Sequence, residues 1–318
     1  MTTPRSRPAL FDLQVNGFAG VDYQQPTLSG VALRESVDAL RRHSIHRILL
    51  TLITDEIDAM CRQLERIETL RQADAAVGET VCGYHLEGPY LSAAAGYCGA
   101  HPPAKMRVPS IAELRRLNDA AGGSVRLVTL APELPGSAEF IRAARQAGIV
   151  ISLGHTQAGD ADIDAAIAAG ASLCTHLGNA VPATLPRHDN VVQRLLARDE
   201  LTACFIPDGF HLPPNVLKNF VRAKPPGKTI LTSDAVAAAG APPGNYTVGP
   251  LQITSDRDGV VREPGRPNFA GSSLLLDRGV DHAASWIGIP HADAWAMASV
   301  AVAKIFNIAL PVLDPSPS

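Results

Sequence analysis

Side chains that could bind a metal ion stand at the ends of several apolar segments of the chain. Glu87 ends VCGYHLE, His155 follows GIVISLG, and His176 lies in ASLCTHL. Burying a carboxylate or an imidazole is costly unless the group has a partner. One carboxylate and two imidazoles that converge would give zinc or a similar divalent ion three protein ligands, with positions left for water and substrate. The alternative is that His85 and Glu87 pair with each other and have only a structural role.

Two further segments end in groups that could move protons. LTSDA carries Asp234, and PDGFH carries Asp208 and His211. A carboxylate that is not a ligand can serve beside a metal first as general base and then as general acid, which is the role expected for Asp234. A single histidine at a strand end usually has a structural role. Four such groups at four strand ends favour one shared site instead.

The segments that carry these groups have the pattern of buried parallel strands. They are apolar almost throughout rather than alternating, as expected of strands covered on both faces. Eight are present: 9–15, 46–53, 81–87, 125–131, 148–155, 171–177, 201–207 and 228–235.

Amphipathic segments between the strands predict helices. Their apolar residues recur at three- and four-residue spacing over 29–42, 56–72, 110–121, 137–147, 160–169, 190–198 and 213–223, and the last helices are expected at 272–287 and 291–307. Alternating strands and helices predict an α/β fold, a (β/α)8 TIM-type barrel whose site lies at the carboxyl ends of the strands. A doubly wound open sheet is the alternative. We expect one domain over residues 1–318, with a Gly- and Pro-rich, hairpin-like excursion at about 240–270.

The bulk composition excludes several classes of partner. The chain has 318 residues, 46% of them hydrophobic, and a net charge of −3. Without a basic run, neither nucleic acid nor a membrane surface is an expected partner. The apolar window 294–313 is interrupted by Lys304, Asn307 and Pro311, so a buried helix explains it better than a membrane span. The N-terminus has no secretory signal pattern, which predicts a cytoplasmic protein. The five cysteines show no CxxC spacing and are therefore expected to be reduced thiols.

Several motifs occur in an order and spacing similar to those of a known family. They are FDLQVNG, HLEGPYL, GAH, GHT, THLGNAV, DGFHL, SDAVAAAG and GSSL. From about residue 10 to 290 the chain resembles the N-acetylglucosamine-6-phosphate deacetylases of the amidohydrolase superfamily. The resemblance implies Glu87, His155 and His176 as metal ligands, and Asp234 as the catalytic acid/base.

The resemblance also implies a set of substrate contacts. His211 would contact the amide carbonyl of the substrate and its oxyanion, and His101 matches another active-site position. Asn179, the backbone of Ala180, and Arg187 match positions that hold the sugar phosphate. The implied partner is therefore a small amino-sugar phosphate.

The chain departs from the pattern of its relatives at three points. Gln14 and Asn16 replace an HxH motif that binds a second metal in many members of the superfamily, so one divalent ion is expected. Zinc is the first choice, with iron or manganese as alternatives. Both chain ends lack the length for the usual flanking β-sandwich. Gly178 replaces an aromatic residue, which should enlarge or loosen the pocket near the sugar. A homodimer is also expected, since relatives often form one.

The sequence thus predicts metal-dependent hydrolysis of the N-acetyl amide of N-acetylglucosamine 6-phosphate to glucosamine 6-phosphate and acetate. One alternative keeps the chemistry and changes the substrate to another N-acyl amino sugar or an N-acyl amino acid. Another is a non-catalytic barrel that binds sugar phosphates, although a pure binder has no need of a base beside a metal. A metal-free isomerase or aldolase is disfavoured because no lysine stands at a strand end.

Overall fold

The computed structural model describes residues 6–266 and 268–314. The predicted excursion at 240–270 is therefore described except at Pro267, and residues 1–5 and 315–318 also lie outside the described ranges. At the centre is a sheet of eight parallel strands. In chain order they are β1 (Leu10–Val15), β2 (Ile45–Ile53), β3 (Val81–Glu87), β4 (Val125–Leu130), β5 (Val150–Leu153), β6 (Leu173–Cys174), β7 (Thr202–Phe205) and β8 (Thr229–Leu231).

The eight strands lie in sequence order, and the first meets the last. Val15, the last residue of β1, bridges in parallel to Ala235 beyond β8. The buried Asp12 carboxylate strengthens this seam, because its Oδ1 accepts hydrogen bonds of 2.6 Å from Thr232 Oγ1 and 3.2 Å from the backbone N–H of Ser233. Burial raises the pKa of Asp12, although these hydrogen bonds oppose the shift. The predicted barrel is confirmed, and the open-sheet alternative is wrong.

Helices cover the outside of the barrel, one after each strand. They are α1 (Gly30–Arg42), α2 (Ile57–Ala73), α3 (Ile111–Ala120), α4 (Ser137–Gln146), α5 (Asp160–Ala169), α6 (Val191–Leu196), α7 (Pro214–Ala223) and α8 (Leu276–Ala283). Ser110 caps α3 by accepting a hydrogen bond from the backbone N–H of Glu113, and Gly159 stands at the N-cap of α5. Every helix in the described ranges is too short or too polar to cross a bilayer.

The expected single helix at 291–307 is in fact two helices. They are His291–Met297 and Val300–Phe306, separated at Ala298 and Ser299. The carbonyl of Ala298 accepts a hydrogen bond of 2.9 Å from the backbone N–H of Phe11 at the start of β1. This carbonyl therefore bonds to a strand instead of to the next turn of a helix. The apolar sequence pattern contains no information about such a tertiary contact. Phe306 then packs against Phe11 and closes the amino-terminal end of the barrel.

The excursion after β8 forms a small antiparallel sheet, here called the side sheet. Its strands are Gly244–Val248, Leu251–Ser255 and Val261–Arg262, so the predicted hairpin has a third strand. Asp22, beyond β1, fastens it to the barrel, because its Oδ2 accepts from Thr247 Oγ1 at 2.8 Å and from the backbone N–H of Gly249 at 2.9 Å. The side sheet therefore stands over the carboxyl ends of β8 and β1.

The remaining elements are short. They comprise the helix Ala75–Thr80, the 3₁₀ turn Pro103–Lys105, the π-helical turn Ala284–Gly288, and the strand pairs Arg7–Pro8 with Val312–Leu313 and Gly17–Phe18 with Val21–Asp22. Among the described residues no β-sandwich accompanies the barrel.

Candidate metal centre

Glu87, His155 and His176 meet at the mouth of the barrel. Oε1 of Glu87 lies 3.0 Å from Nε2 of His176 and 3.3 Å from Nε2 of His155, and the two ring nitrogens are 3.1 Å apart. All three residues are buried. The sequence prediction that these side chains converge is therefore matched by their geometry, and the alternative of a simple His85–Glu87 pair is not.

The protonation pattern of the three groups suits a cation. His155 Nδ1 lies 3.0 Å from the backbone carbonyl of Tyr97, so a neutral ring donates there and turns the lone pair of Nε2 toward the cluster. Burial lowers the pKa of His155 to about 4, which keeps this ring neutral. Burial also opposes ionisation of Glu87, but its contacts with the rings of His101, His155 and His176 outweigh burial and hold the pKa of Glu87 well below its usual range.

The spacing of the three donor atoms fits a divalent ion. Zinc bonds of 2.0–2.1 Å in a tetrahedral site place neighbouring ligand atoms about 3.3 Å apart. The observed separations are 3.0–3.3 Å. Nδ1 of His176 is buried and has no hydrogen-bond partner among the described residues. Without a cation, a carboxylate oxygen and two ring nitrogens so close together would have only a shared proton to relieve their repulsion.

Backbone strain accompanies four of the predicted site residues, one of which is Ala180 with a φ of 50°. His155, His176 and Asp234 each lie two or three residues beyond a barrel strand and have φ values of 52°, 27° and 53°. Residues other than glycine avoid this left-handed region, at a cost on the order of 1–2 kcal/mol each. The sharp turn after each strand directs the side chain over the barrel axis rather than along the strand.

Gln14 and Asn16 from the first barrel strand and its end contribute directly to the site. Gln14 Nε2 donates a hydrogen bond of 2.9 Å to Oε1 of Glu87, and Asn16 Nδ2 donates one of 2.8 Å to Oδ1 of Asp234. The carbonyl oxygens of both amides are buried without a partner among the described residues. The sequence interpretation gave these residues as replacements for a metal-binding motif, with Gln14 able to line the site, and did not predict either hydrogen bond. Their two-residue spacing, which puts both on one face of a strand, was the available signal.

Asp234 has an environment that favours its protonated form. It is buried and close enough to Glu87 for the two negative charges to interact. Burial first, and the Glu87 charge second, raise the pKa of Asp234 to about 7, against lowering by His176, His211 and the hydrogen bond from Asn16. A carboxyl group that titrates near neutral pH can both accept and return a proton.

His211 is held by a neighbouring carboxylate. Its Nδ1 lies 2.6 Å from Oδ2 of Asp208, whose Oδ1 accepts from the backbone N–H groups of Phe210 and His211. These hydrogen bonds lower the pKa of Asp208 although burial opposes the shift. Phe269 packs on the imidazole, with ring centroids 4.9 Å apart. Asp208 and Phe269 therefore orient the ring, and its Nε2 has no hydrogen-bond partner among the residues that the structure describes. Phe269 carried no sequence signal.

His101 stands beside the other oxygen of the Glu87 carboxylate. Its Nδ1 accepts from the backbone N–H of Thr54 at 3.3 Å and contacts the Thr54 hydroxyl at 2.9 Å. A neutral ring therefore carries its proton on Nε2, which lies 3.5 Å from Oε2 of Glu87. Thr54 thus fixes the tautomer that presents a donor to the site.

One cavity with a volume of about 380 Å³, in the range typical of small-ligand sites, is lined by Glu87, His101, His155, His176, His211 and Asp234. Asn179 and Ala180 contribute to its wall, next to His176. Arg187 does not, because its side chain is exposed and lies outside the lining of the cavity. Its predicted contact with phosphate stays a prediction.

The expectation that Gly178 enlarges the pocket needs correction. A Cβ atom at this position would lie 2.9 Å from Cδ2 of Leu212 and 3.0 Å from Cε2 of Phe220. The direction that a side chain would take is therefore already filled. The backbone of Gly178, with φ of 99°, also disfavours any larger residue.

Comparison with known proteins identifies relatives over most of the chain, although no protein-family model matches it. The chain is 34% identical over 315 residues to the N-acetylglucosamine-6-phosphate deacetylase of Bos taurus, with 95% of this chain and 74% of the relative covered. It is 30% identical to the N-acetylgalactosamine-6-phosphate deacetylase of Escherichia coli O157:H7, with 95% and 78% covered.

A solved structure agrees with these relatives. It is a mutant of N-acetyl-D-glucosamine-6-phosphate deacetylase from Mycobacterium smegmatis in complex with N-acetyl-D-glucosamine-6-phosphate, which has a TM-score of 0.87 and 31% identity, with 97% of this chain and 79% of that chain covered. Sequence and structure therefore agree over nearly the whole of this chain, and it belongs to the N-acetylglucosamine-6-phosphate deacetylase family.

Proposed function

We propose that the protein hydrolyses the N-acetyl amide of N-acetylglucosamine 6-phosphate to glucosamine 6-phosphate and acetate, with one divalent metal ion per chain. The observation that carries the proposal is a single cavity lined by a Glu87–His155–His176 cluster, by Asp234 and by His211. The chain's relatives and a structural neighbour bear the names of deacetylases of amino-sugar phosphates, which supports this substrate class.

Glu87, His155 and His176 would hold the ion, which we take to be zinc. One carboxylate and two imidazoles leave positions free for water and substrate, and iron and manganese accept the same set. A bound divalent ion lowers the pKa of water and polarises a carbonyl group. Gln14 stabilises the charged form of Glu87 by donating to Oε1, and His155 is oriented by the carbonyl of Tyr97.

Asp234 has the proton-transfer role. Its ionised carboxylate takes a proton from the attacking water as the water oxygen bonds to the acyl carbon. It then returns the proton to the amide nitrogen, the C–N bond breaks, and acetic acid and the free amine result. Asn16 holds the carboxylate in place during both transfers. A pKa near 7 lets one group perform both at neutral pH.

Two histidines can donate a hydrogen bond to the carbonyl oxygen as its charge develops. His211 is fixed by Asp208, and His101 is fixed by Thr54 with its proton on Nε2. Oriented donors of this kind stabilise an oxyanion because they need no reorganisation during the reaction. Asn179, the Ala180 backbone and Arg187 are the proposed contacts of the sugar phosphate.

A second candidate substrate is N-acetylgalactosamine 6-phosphate, favoured by the name of the relative from Escherichia coli O157:H7. The two sugars differ only in the orientation of one hydroxyl group, so the same metal, base and acyl contacts serve both. Comparison of kcat/KM for the two compounds separates the candidates.

The direct test combines metal analysis of the purified protein with acetate release from N-acetylglucosamine 6-phosphate and from N-acetylglucosamine. We expect about one divalent ion per chain, turnover that chelation abolishes and zinc restores, and much higher kcat/KM for the phosphorylated sugar. Arg187→Ala should raise KM for the phosphorylated sugar alone, with exposed Arg257→Ala as the matched control. A protein that carries its metal but releases acetate from none of these amino sugars would contradict the proposal. Mass measurement in solution tests the predicted homodimer.

A further inference from the structure

The cavity has two chemically different sides. On one side, after β6 and β7, stand Asn179, the backbone of Gly178 and Ala180, and His211. These groups offer amide, peptide and imidazole hydrogen bonds. They suit the hydroxyl and phosphate groups of a sugar, which need polar partners once they leave water.

The other side is apolar and is built where β2, β8 and the side sheet meet. Its members are Ile53 at the end of β2, Val236 beyond β8, Val248 and Leu251 from the side sheet, and Ala270. All but Leu251 are buried, and they belong to a single hydrophobic cluster. We call this set the apolar corner. It contains no charged group and no side-chain hydrogen-bond donor.

The apolar corner adjoins the reacting groups. Ile53 is the register partner of Glu87 on the neighbouring strand, so their Cα atoms lie side by side in the sheet. Val236 follows Asp234 by two residues. Its backbone N–H donates to the carbonyl of Ser272, which comes two residues after Ala270 in the chain. The barrel thus places one apolar residue next to the predicted ligand and another next to the predicted base.

We propose that the apolar corner is the acyl-binding side of the site and sets the length of the N-acyl chain that the enzyme hydrolyses. This inference rests on the proposed function. The carbonyl carbon attacked by water has two substituents, the amide nitrogen of the sugar and the alkyl part of the acyl group. With the sugar on the polar side, the alkyl part faces Ile53, Val236 and Val248. Hydrolysis adds water across the C–N bond, and the acyl group leaves as a carboxylic acid from this corner.

Val248 controls the size of the corner, because it lies on the side sheet rather than in the barrel wall. It is adjacent to the turn that joins Gly244–Val248 to Leu251–Ser255, and the hydrogen bonds of Asp22 to Thr247 and Gly249 fix its backbone. Removing two methyl groups at this position should make room for a longer chain. Adding one methylene should exclude it.

The experiment compares kcat/KM for the N-acetyl, N-propionyl and N-butyryl forms of glucosamine 6-phosphate. Val248→Ala should raise the butyryl-to-acetyl ratio by about tenfold, since one methylene in an apolar pocket changes kcat/KM by about that factor or more. Val248→Ile should lower the ratio. The matched control is Val181→Ala, the same change in a residue that lines the polar side of the same cavity. It should leave the ratio unchanged.

Ratios measured on one preparation do not depend on the fraction of folded protein, so loss of stability cannot imitate the result. Equal ratios in the wild type and both Val248 variants would overturn the inference, and so would a shift of similar size in Val181→Ala. If the metal-loaded wild type released no acid from any of the three compounds, the proposed function itself would fail. The two failures are therefore distinguishable.

Discussion

Asn16 and Asp234 join the first and last strands of the barrel across the mouth of the site. Nδ2 of Asn16 donates a hydrogen bond of 2.8 Å to Oδ1 of Asp234, and the backbone N–H of Asn16 donates one of 2.7 Å to the carbonyl of Ala235. Asn16 thus holds both the side chain and the adjoining backbone of the proposed base. The side-chain oxygen of Asn16, Oδ1, is buried without a partner among the described residues and is available to a ligand.

Replacement of Asn16 by alanine should lower kcat by about 10- to 100-fold with little change in metal content, as is usual when the partner of an active-site group is lost. The hydrogen bond from Asn16 lowers the pKa of Asp234, so its removal should raise that pKa. Since the base acts when ionised, the acidic limb of the kcat/KM profile should move to higher pH. Asn245→Ala, at an exposed position of the side sheet, is the control. If the pH profile of kcat/KM is not shifted in Asn16→Ala, Asn16 does not position Asp234.

Asp234 should make the metal-free protein less stable as the pH rises. Its pKa is about 7 in the fold, against an ordinary value of 3.8, so between these values the folded state binds more protons than the unfolded state. Stability therefore falls as pH increases across this range, opposite to the usual behaviour of a salt-bridged aspartate. Asp234→Asn should stabilise the metal-free protein at pH 8 by on the order of 2–4 kcal/mol and have little effect near pH 4.

The measurement is urea unfolding of the metal-free proteins between pH 4 and pH 8. Asp258→Asn, at an exposed turn, is the matched control and should follow the wild type throughout. With metal bound, Asp234→Asn should lose about 10²- to 10⁴-fold in turnover while it keeps its ion. A variant that keeps full turnover with metal bound would rule out Asp234 as the base.

The barrel could be predicted from the sequence because its strands are buried on both faces. Continuous apolar runs such as 81–87 leave little freedom in their assignment, and the polar residue that ends each run marks the mouth. The convergence of the candidate metal ligands could be inferred for the same reason, since parallel strands bring their carboxyl ends together. Glu87, His155 and His176 come from strands far apart in the sequence but near in the barrel.

The supporting contacts were not predictable in the same way. The hydrogen bonds of Gln14 and Asn16 depend on where β1 lies relative to β3 and β8, and a local pattern does not carry this information. The contact of Phe269 with His211 joins an excursion to a loop after another strand. The break near Ser299 likewise arises from a tertiary hydrogen bond. These features follow from packing rather than from local propensity.

Glu87→Gln should reduce metal binding as well as activity. The carboxylate lies within 3.3 Å of both ring nitrogens, and a neutral amide is a weaker ligand for a divalent ion and removes a negative charge from a buried site. We expect loss of most bound metal by elemental analysis after gel filtration, together with loss of turnover. Glu65→Gln, an exposed helical position, should keep both. Full metal stoichiometry in Glu87→Gln would count against its role as a ligand.

Below the candidate metal centre, His85 joins a network of buried hydroxyl groups that crosses the inside of the barrel. Its Nδ1 lies 3.3 Å from Thr51 Oγ1 and its Nε2 lies 2.8 Å from Thr129 Oγ1. Thr129 continues to Thr175 at 2.7 Å, and Thr175 to Ser152 at 2.6 Å. His85 therefore has a structural role. It lies two residues before the predicted ligand Glu87. Burial lowers its pKa to about 4, so the ring is neutral in the fold.

His85→Leu should destabilise the protein by about 1–3 kcal/mol, because Thr51 and Thr129 each lose a buried partner. His46→Leu, at a half-buried position of the same barrel, should cost less than about 0.5 kcal/mol.

A pH series adds a second readout of the role of His85. Since the pKa of His85 is lower in the fold than in the unfolded chain, the unfolded state binds more protons between about pH 4 and pH 6.5, and stability falls on acidification. His85→Leu removes this contribution, so its unfolding free energy, measured with urea, should depend less on pH in that interval. If both variants lose the same amount of unfolding free energy, and this energy changes with pH in the same way in both, the hydroxyl network does not depend on His85.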